Sequence, residues 1–537
     1  MTTTEPSFVF SVLEWLTPLA AALSMVAVGV AAIVCRSEAV NLFQGLGTQG
    51  WQWLAIIVGI ALLIRLTLVP ATERVFYDEH TYLQIARGIA EEGRARAASY
   101  ALVQPQGYET IVGSYPHWST GWPTLVAGAL YGTGYARWTG QLVNLILSLT
   151  AVVLVALMAS MLFPGTFVGP MSAAAYASFP ANQLWSRTSA SEIFAACAAT
   201  LAVIAALRFA QNPSRRLGFM LAASLAMAVQ IRNEAIFLVP VCAMFIAFQG
   251  GWESLKKACW PAVALMLVLI PQGIHLGTIS RGYEPHVEGA GFGVRYFLSN
   301  FSSVVDYLTH EPVFLTCLIL AVLGAPKVQA SKLAIPFWIW WFCALGIPMF
   351  HFGGSFAFPG GERFVLASLP PLAISSGVGL YALHVTLESH IPSMVVSSLW
   401  VGLILGGMVW VAPYVIASDQ ETGIPRADTV FLQKAIGSVP EEGIIVTADP
   451  PVVIAEGRSA VFIVGEACDS MGLSKLAAEY QQKLYYYVSP SSSPTQWAGG
   501  QECEQRLLSR FHAKSLVEEA SPEGQRVLYT LSEKVPT

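Results

Sequence analysis

The chain is poor in charge. Of its 537 residues only 29 are Lys or Arg and 34 are Asp or Glu, so 12% are charged, against about 25% in an ordinary soluble domain. With 54% hydrophobic residues and a mean hydropathy of +0.56, that deficit excludes a soluble enzyme. There is no Lys/Arg block, and a net charge of -5 over this length gives nucleic acid no footing as a partner. Cysteine is scarce as well. Six of the eight (Cys35, Cys197, Cys242, Cys259, Cys317 and Cys343) sit inside apolar segments, where a thiol is a small buried hydrophobe. A disulfide scaffold is thereby excluded, although Cys468 and Cys503 could bridge if their segment lies in an oxidising compartment. No Cys/His spacing suits zinc. No carboxylate cluster demands an ion, so the residues imply no cofactor and leave dependence on a divalent metal open.

What the chain has instead is apolar runs close to the roughly 20 residues of a bilayer span. They fall near 8–35, 51–70, 137–163, 167–184, 190–209, 216–231, 234–250, 258–277, 312–325, 333–352, 363–385 and 393–417, about twelve in all. The fold class expected is a polytopic α-helical membrane protein. The first run is too long for the apolar core of a signal peptide, and its leader MTTTEPS lacks basic residues, so it counts as a span. Every lysine before position 420 (Lys256, Lys257, Lys327, Lys332) falls in one alternate set of loops, together with Arg208, Arg215 and Arg216. By the positive-inside rule that set is cytoplasmic. The long segments 71–136 and 278–311, and everything after 417, are then expected on the outer side.

Residues 1–417 therefore read as a membrane domain and 418–537 as a soluble exoplasmic domain. The latter is acidic, with 16 Asp/Glu against 10 Lys/Arg. Its β-rich runs Gly443–Asp449, Ala460–Val464 and Lys483–Val488, with helical stretches near 428–437, 471–481 and 501–511, predict a small α/β fold.

The chemistry is concentrated in loop 71–136. The segment from Val75 to Gly93 has amphipathic helical spacing, with Tyr82, Ile85, Ala86 and Ile89 on one face and Gly93 as a stop. Asp78 and Glu79 stand at its start. Two adjacent carboxylates cannot point the same way, so one can serve as general base toward an acceptor hydroxyl while the other fixes the loop. The competing role is structural: Asp78 caps the helix and Glu79 complements its dipole. Later in the loop, Tyr115-Pro-His-Trp-Ser-Thr-Gly-Trp-Pro123 opens another apolar helix. Trp118 and Trp122 suit interfacial anchoring, while His117 offers a polar ring for a head group. Three more stations lie where outer loops meet spans. These are Arg187 with Ser189-Ala-Ser-Glu192, Arg232-Asn-Glu234, and Gly360-Gly-Glu-Arg-Phe364 with Glu362 and Arg363. Charges at span ends snorkel, pair or line a wet cavity, and a bound phosphate would need such arginines.

In order and sidedness these motifs resemble the protein O-mannosyltransferase and aminoarabinose transferase group (glycosyltransferase family 39-like), lipid-linked-sugar enzymes of the GT-C fold. The resemblance covers roughly residues 50–417. It implies a polyprenyl-phosphate-sugar donor and transfer to a protein, lipid or glycan acceptor on the outer face, usually with inversion and without a nucleotide. In the residues it carries over, Asp78 is the base, with Glu79 supporting it or holding the acceptor. Arg363, then Arg187 and Arg232, hold the donor phosphate, and Tyr82, His117, Glu192, Glu234 and Glu362 are further substrate contacts. Where aminoarabinose transferases place a lysine in the second loop motif this chain has His117 nearest, and the span 8–35 lies outside the shared core. The location implied is a bacterial inner or plasma membrane, with active site and C-terminal domain periplasmic or extracellular. A transporter or flippase of lipid-linked sugars is the alternative. Transporters carry midplane charges and internal repeats, whereas these charges gather at the outer boundary. An inactive relative serving as a scaffold is a third.

Overall fold

The computed structural model describes residues 8–534 apart from 38–43, 105–106, 115–117, 135, 283–292, 330, 352–353, 357–359, 464–472, 476–477, 479–482 and 495–499. Each of the twelve apolar runs is helical. Among the described residues eight helical stretches are long and apolar enough to cross a membrane: Phe8–Val34, Gly47–Thr67, Thr139–Leu162, Glu192–Gln211, Asn233–Lys257, Cys259–Thr278, Gly361–Glu388 and Leu399–Ser438. A ninth would be the pair Val294–His310 and Pro312–Val328, bent by 88°. The other runs fold into helices shorter than a span. Run 167–184 splits into Val168–Ser178 and Pro180–Trp185 because Phe179 is extended (ψ 120°), the conformation forced on a residue preceding proline. The run at 216–231 gives Arg215–Ile231, and the run at 333–352 gives Ala334–Gly346 followed by a 3-10 turn.

The chain divides into two compact units. One comprises Leu19–Ala71 and Gln141–Ala417 and holds most of the apolar helices. Small residues let its backbones approach, as packing between membrane helices requires. A Cβ on Gly379 would collide with the Leu320 carbonyl, one on Gly377 with Ser172, and one on Gly324 with the Ser375 carbonyl. These glycines bring helix Leu369–Glu388 against Pro312–Gln329 and Val168–Ser178.

The other unit comprises Met1–Pro18, Thr72–Gly140 and Ser418–Thr537. The C-terminal segment thus shares a unit with the first long loop and the chain's first residues. Its centre is a seven-stranded sheet, β1 (Ala97–Gln104), β2 (Gly107–Ser114), β3 (Ile444–Thr447), β4 (Ser459–Phe462), β5 (Leu484–Val488), β6 (Phe511–Ser521) and β7 (Gly524–Glu533), in the order β2-β1-β4-β3-β5-β7-β6. The middle pairs β4-β3 and β3-β5 are parallel, and the flanking pairs are antiparallel. Alternation with period two fills both faces: Ile445, Tyr485 and Tyr487 join one core with Phe431 and Val453. Ile444, Val446, Leu484 and Tyr486 join the other with Leu507.

The three expected strands are β3, β4 and β5. Four strands were not expected: the loop hairpin β1–β2, which enters the sheet through Tyr100 and Ala101 on β4, and the terminal hairpin β6–β7. The helix expected near 428–437 is the end of a longer one, Ala412–Ala435, and that near 501–511 is Gly500–Arg510. Most of 471–481 lies outside the described residues. Cys503 is disulfide-bonded, and Cys468 lies outside the described residues.

Candidate active site

The loop helix is Phe76–Glu92. It ends at Gly93 in the left-handed conformation (φ 74°), whose N–H closes onto Gly88 and Ile89, the C-terminal signature that glycine permits. Tyr82, Ile85 and Ala86 are buried as their spacing requires. The two carboxylates at its start take different environments. Glu79 is fully buried, and its Oε1 accepts the backbone N–H groups of Arg74 (2.7 Å) and Val75 (3.0 Å). It therefore satisfies orphan amides ahead of the first turn, as a capping glutamate does. Asp78 is only partly buried.

Behind this helix lies a charge cluster that the sequence did not announce. Arg137 donates to Glu73 (Nε to Oε1, 3.2 Å), to Glu456 (Nη1 to Oε1, 2.7 Å) and to His80 Nε2 (Nη2, 2.8 Å). His80 Nδ1 stands 3.6 Å from Asp449 Oδ2. Burial alone would raise the Glu73 carboxyl, but the Arg137 guanidinium holds it below the ordinary carboxylate range. Burial likewise opposes the Arg137 charge, yet Glu73 and Glu456 push its pKa above the ordinary value. Of these residues the sequence singled out none as functional, since the partners are 64 and 319 positions from Arg137.

In the helical unit the stations of the sequence converge. Arg232 donates to Glu192 (2.9 Å) and Glu234 (2.6 Å), and Arg363 Nε lies 3.3 Å from the same Glu192 Oε1. Glu362 accepts from Trp185 Nε1 (3.3 Å). Both guanidiniums stand over the Phe364 ring, at 5.6 and 5.1 Å from its centroid. These groups adjoin a void of about 40 Å³, room for one water. Arg187 is not among these contacts: it donates to the Arg65 carbonyl (2.9 Å), and burial lowers its pKa. Arg65 itself, fully buried with Nη1 on the Ala61 carbonyl, is a residue the sequence reading overlooked inside an apolar run. His117 lies outside the described residues. Trp118, half-buried, and Trp122, fully buried, precede or open helix Gly121–Thr133.

Comparison with known proteins places this architecture. The sequence profile of the family Dolichyl-phosphate-mannose-protein mannosyltransferase matches residues 122–275. No curated protein sequence matches the chain. Two solved structures of ArnT from Cupriavidus metallidurans superpose over almost their whole length. The undecaprenyl-phosphate-bound form gives a TM-score of 0.58 at 13% identity, covering 89% of this chain and 98% of that one. The apo form gives 0.58 at 13%, covering 90% and 98%. The chain has the GT-C fold.

Within this GT-C membrane protein the helical unit also contains a cavity of about 850 Å³. Its walls are apolar, from Trp53, Phe167, Met171, Leu320, Leu383 and Leu403, with polar groups at His384 and Glu388. Trp400 Nε1 donates to His384 Nδ1 (3.0 Å), and His384 Nε2 lies 3.3 Å from Glu388. A volume of this size with few polar groups suits a long apolar ligand. Among the described residues no group of three or more His, Cys, Asp or Glu is arranged to hold a metal.

Proposed function

We propose that this protein is a membrane glycosyltransferase that moves a sugar from a polyprenyl-phosphate donor to an acceptor hydroxyl on the outer, periplasmic or extracellular face of a bacterial inner membrane. The observation that carries the reading is the division of labour between the adjacent carboxylates. Glu79 is spent on the backbone amides of Arg74 and Val75, which fixes the start of the helix. Asp78, partly buried beside it, is the general base. The GT-C fold and the mannosyltransferase profile over residues 122–275 support the donor class, and the 850 Å³ apolar cavity suits its isoprenoid chain.

In this mechanism Asp78 takes the acceptor's hydroxyl proton as its oxygen bonds to the sugar's anomeric carbon. The bond from that carbon to the phosphate oxygen breaks, and polyprenyl phosphate leaves with the electron pair. Negative charge grows on the phosphate, where arginines stabilise it. Arg363 and Arg232, now on Glu192, exchange that carboxylate for the phosphate, with Arg187 in support. Tyr82, His117, Glu234 and Glu362 complete the substrate contacts.

Asp78→Asn tests the reading. Transfer from a polyprenyl-phosphate sugar should fall by on the order of 10²–10⁴-fold, the scale of general-base catalysis, with membrane insertion unchanged. Wild-type rates in the variant would end the base assignment. Sidedness is checked by a membrane-impermeant thiol reagent, which should reach cysteines placed in 418–537 from outside. Labelling near Lys327 instead would invert the topology.

A further inference from the structure

The C-terminal segment could be a cap over substrate or a bystander, but the contacts of the loop helix give it a narrower task. His80 follows Asp78 by two positions and is 1% exposed. Its Nε2 lies 2.8 Å from a nitrogen of Arg137. A guanidinium offers only donors, so that ring nitrogen must be the acceptor and the imidazole's proton sits on Nδ1, the atom facing Asp449. Arg137 is oriented in turn by Glu73 at one nitrogen and Glu456 at another, and Glu456 Oε1 is itself held by Gln433 Nε2 at 3.0 Å. Asp449 and Glu456 bracket the short helix Pro450–Ala455, whose Ile454 carbonyl accepts from Arg87 (3.4 Å), a residue of the loop helix. The segment Asp449–Glu456 thus holds that helix at two points about two turns apart, His80 and Arg87.

We propose that Glu456 is a positioning residue: acting through Arg137 and His80, it fixes the rotation of helix Phe76–Glu92 and so the aim of the Asp78 carboxylate. The proposal rests on Asp78 being the base. Removing the Glu456 charge leaves Arg137 to Glu73 alone, and the guanidinium can swing away from His80. The helix keeps its Glu79 cap and its buried Tyr82 face, so it persists while its rotation loosens. Displacement of a reacting group by about 1 Å can cost about a hundredfold in rate, and that loss belongs to kcat because ground-state binding of donor and acceptor is untouched.

The experiment uses the full chain in lipid nanodiscs with a polyprenyl-phosphate sugar as donor. Glu456→Gln should lower kcat about ten- to a hundredfold with KM for both substrates unchanged, and Glu456→Asp should recover most of that loss. Amide exchange should quicken in Phe76–Glu92 while β3 and β5 keep their protection. A kcat within twofold of wild type overturns the proposal. So does unchanged exchange in Phe76–Glu92, which would mean any rate loss has another origin. Loss of protection throughout β3–β5 also overturns it, by making Glu456 a pillar of the sheet. If the wild-type chain transfers no sugar, the enzyme reading fails by itself, and the exchange result still decides whether Glu456 holds the helix.

Discussion

The arginine and glutamate clusters around Arg137 and around Glu192 are built in opposite ways. Around Arg137 a single guanidinium serves two glutamates and a histidine, drawn from positions 73, 80 and 456. Around Glu192 a single carboxylate serves two guanidiniums, Arg232 and Arg363, and Glu234 adds a second negative group on Arg232. The first cluster is rich in carboxylates and ties distant parts of the chain to the loop helix. The second is nearly balanced and sits at the ends of apolar helices. What the contrast teaches is where a bound anion can be accommodated. On the proposed reading a phosphate would replace Glu192 on the arginines that share it, whereas Arg137 is surrounded by fixed negative charge and is suited to holding protein parts together.

The largest expected effect breaks the second cluster. In Arg232→Met, Glu192 and Glu234 lose their common partner in a poorly hydrated setting, and stripping one side of a buried pair costs about 3–5 kcal/mol. The thermal midpoint of the reconstituted protein should fall clearly. The double variant Arg232→Met, Glu234→Gln should recover most of that loss, because Arg363 and Glu192 then remain as a balanced pair. If single and double variants are equally unstable, packing around Phe364 and not charge is what holds this region.

The first cluster should answer to acid. Glu73 is held below the ordinary carboxylate value of 4.5, so its contribution is fully present above that value and is lost as pH falls through its lower folded value. Stability of the sheet-bearing unit should therefore drop below about pH 4.5. Glu73→Gln should flatten that acid limb. Amide exchange in β3 and β5 between pH 3 and 6 measures it, and an unchanged acid slope would remove Glu73 from the network.

The same contrast explains what the sequence could disclose. Apolar runs are local, and all twelve are helical; the loop helix, its buried face and its Gly93 stop follow from neighbouring residues. The pair Arg232–Glu234 was visible because its members are two positions apart. Glu192 as the shared partner of Arg232 and Arg363 was not, since packing of four helical segments decides it. Arg137 with Glu456 spans 319 positions, and nothing in the local composition of either segment marks it. The hairpin β6–β7 escaped notice for a different reason. Its first strand, Phe511-His-Ala-Lys-Ser-Leu-Val-Glu-Glu-Ala-Ser521, is mostly exposed and lacks the alternation that marks a half-buried strand. In β1 and β2, Tyr100, Val103, Tyr108, Ile111 and Val112 were a usable β signal, overshadowed by the helices on either side. Pro180 was a legible signal that its apolar run divides into two helices.

The smallest effect concerns the charges used to orient the chain. Lys256 pairs with Glu253 at 2.8 Å, but the two side chains are 55% and 76% exposed, and a pair so open to water contributes about 0.2–1 kcal/mol at most. Lys256→Gln should leave the thermal midpoint within a degree or two of wild type. Its charge should matter only during insertion, where lysines retained in one set of loops bias orientation. Replacing Lys256, Lys257, Lys327 and Lys332 together should thus produce a fraction of inverted molecules, scored by impermeant thiol labelling, while the correctly oriented fraction melts normally. A large stability loss from Lys256→Gln alone would erase the distinction between basic residues that orient the chain and arginines that hold it together.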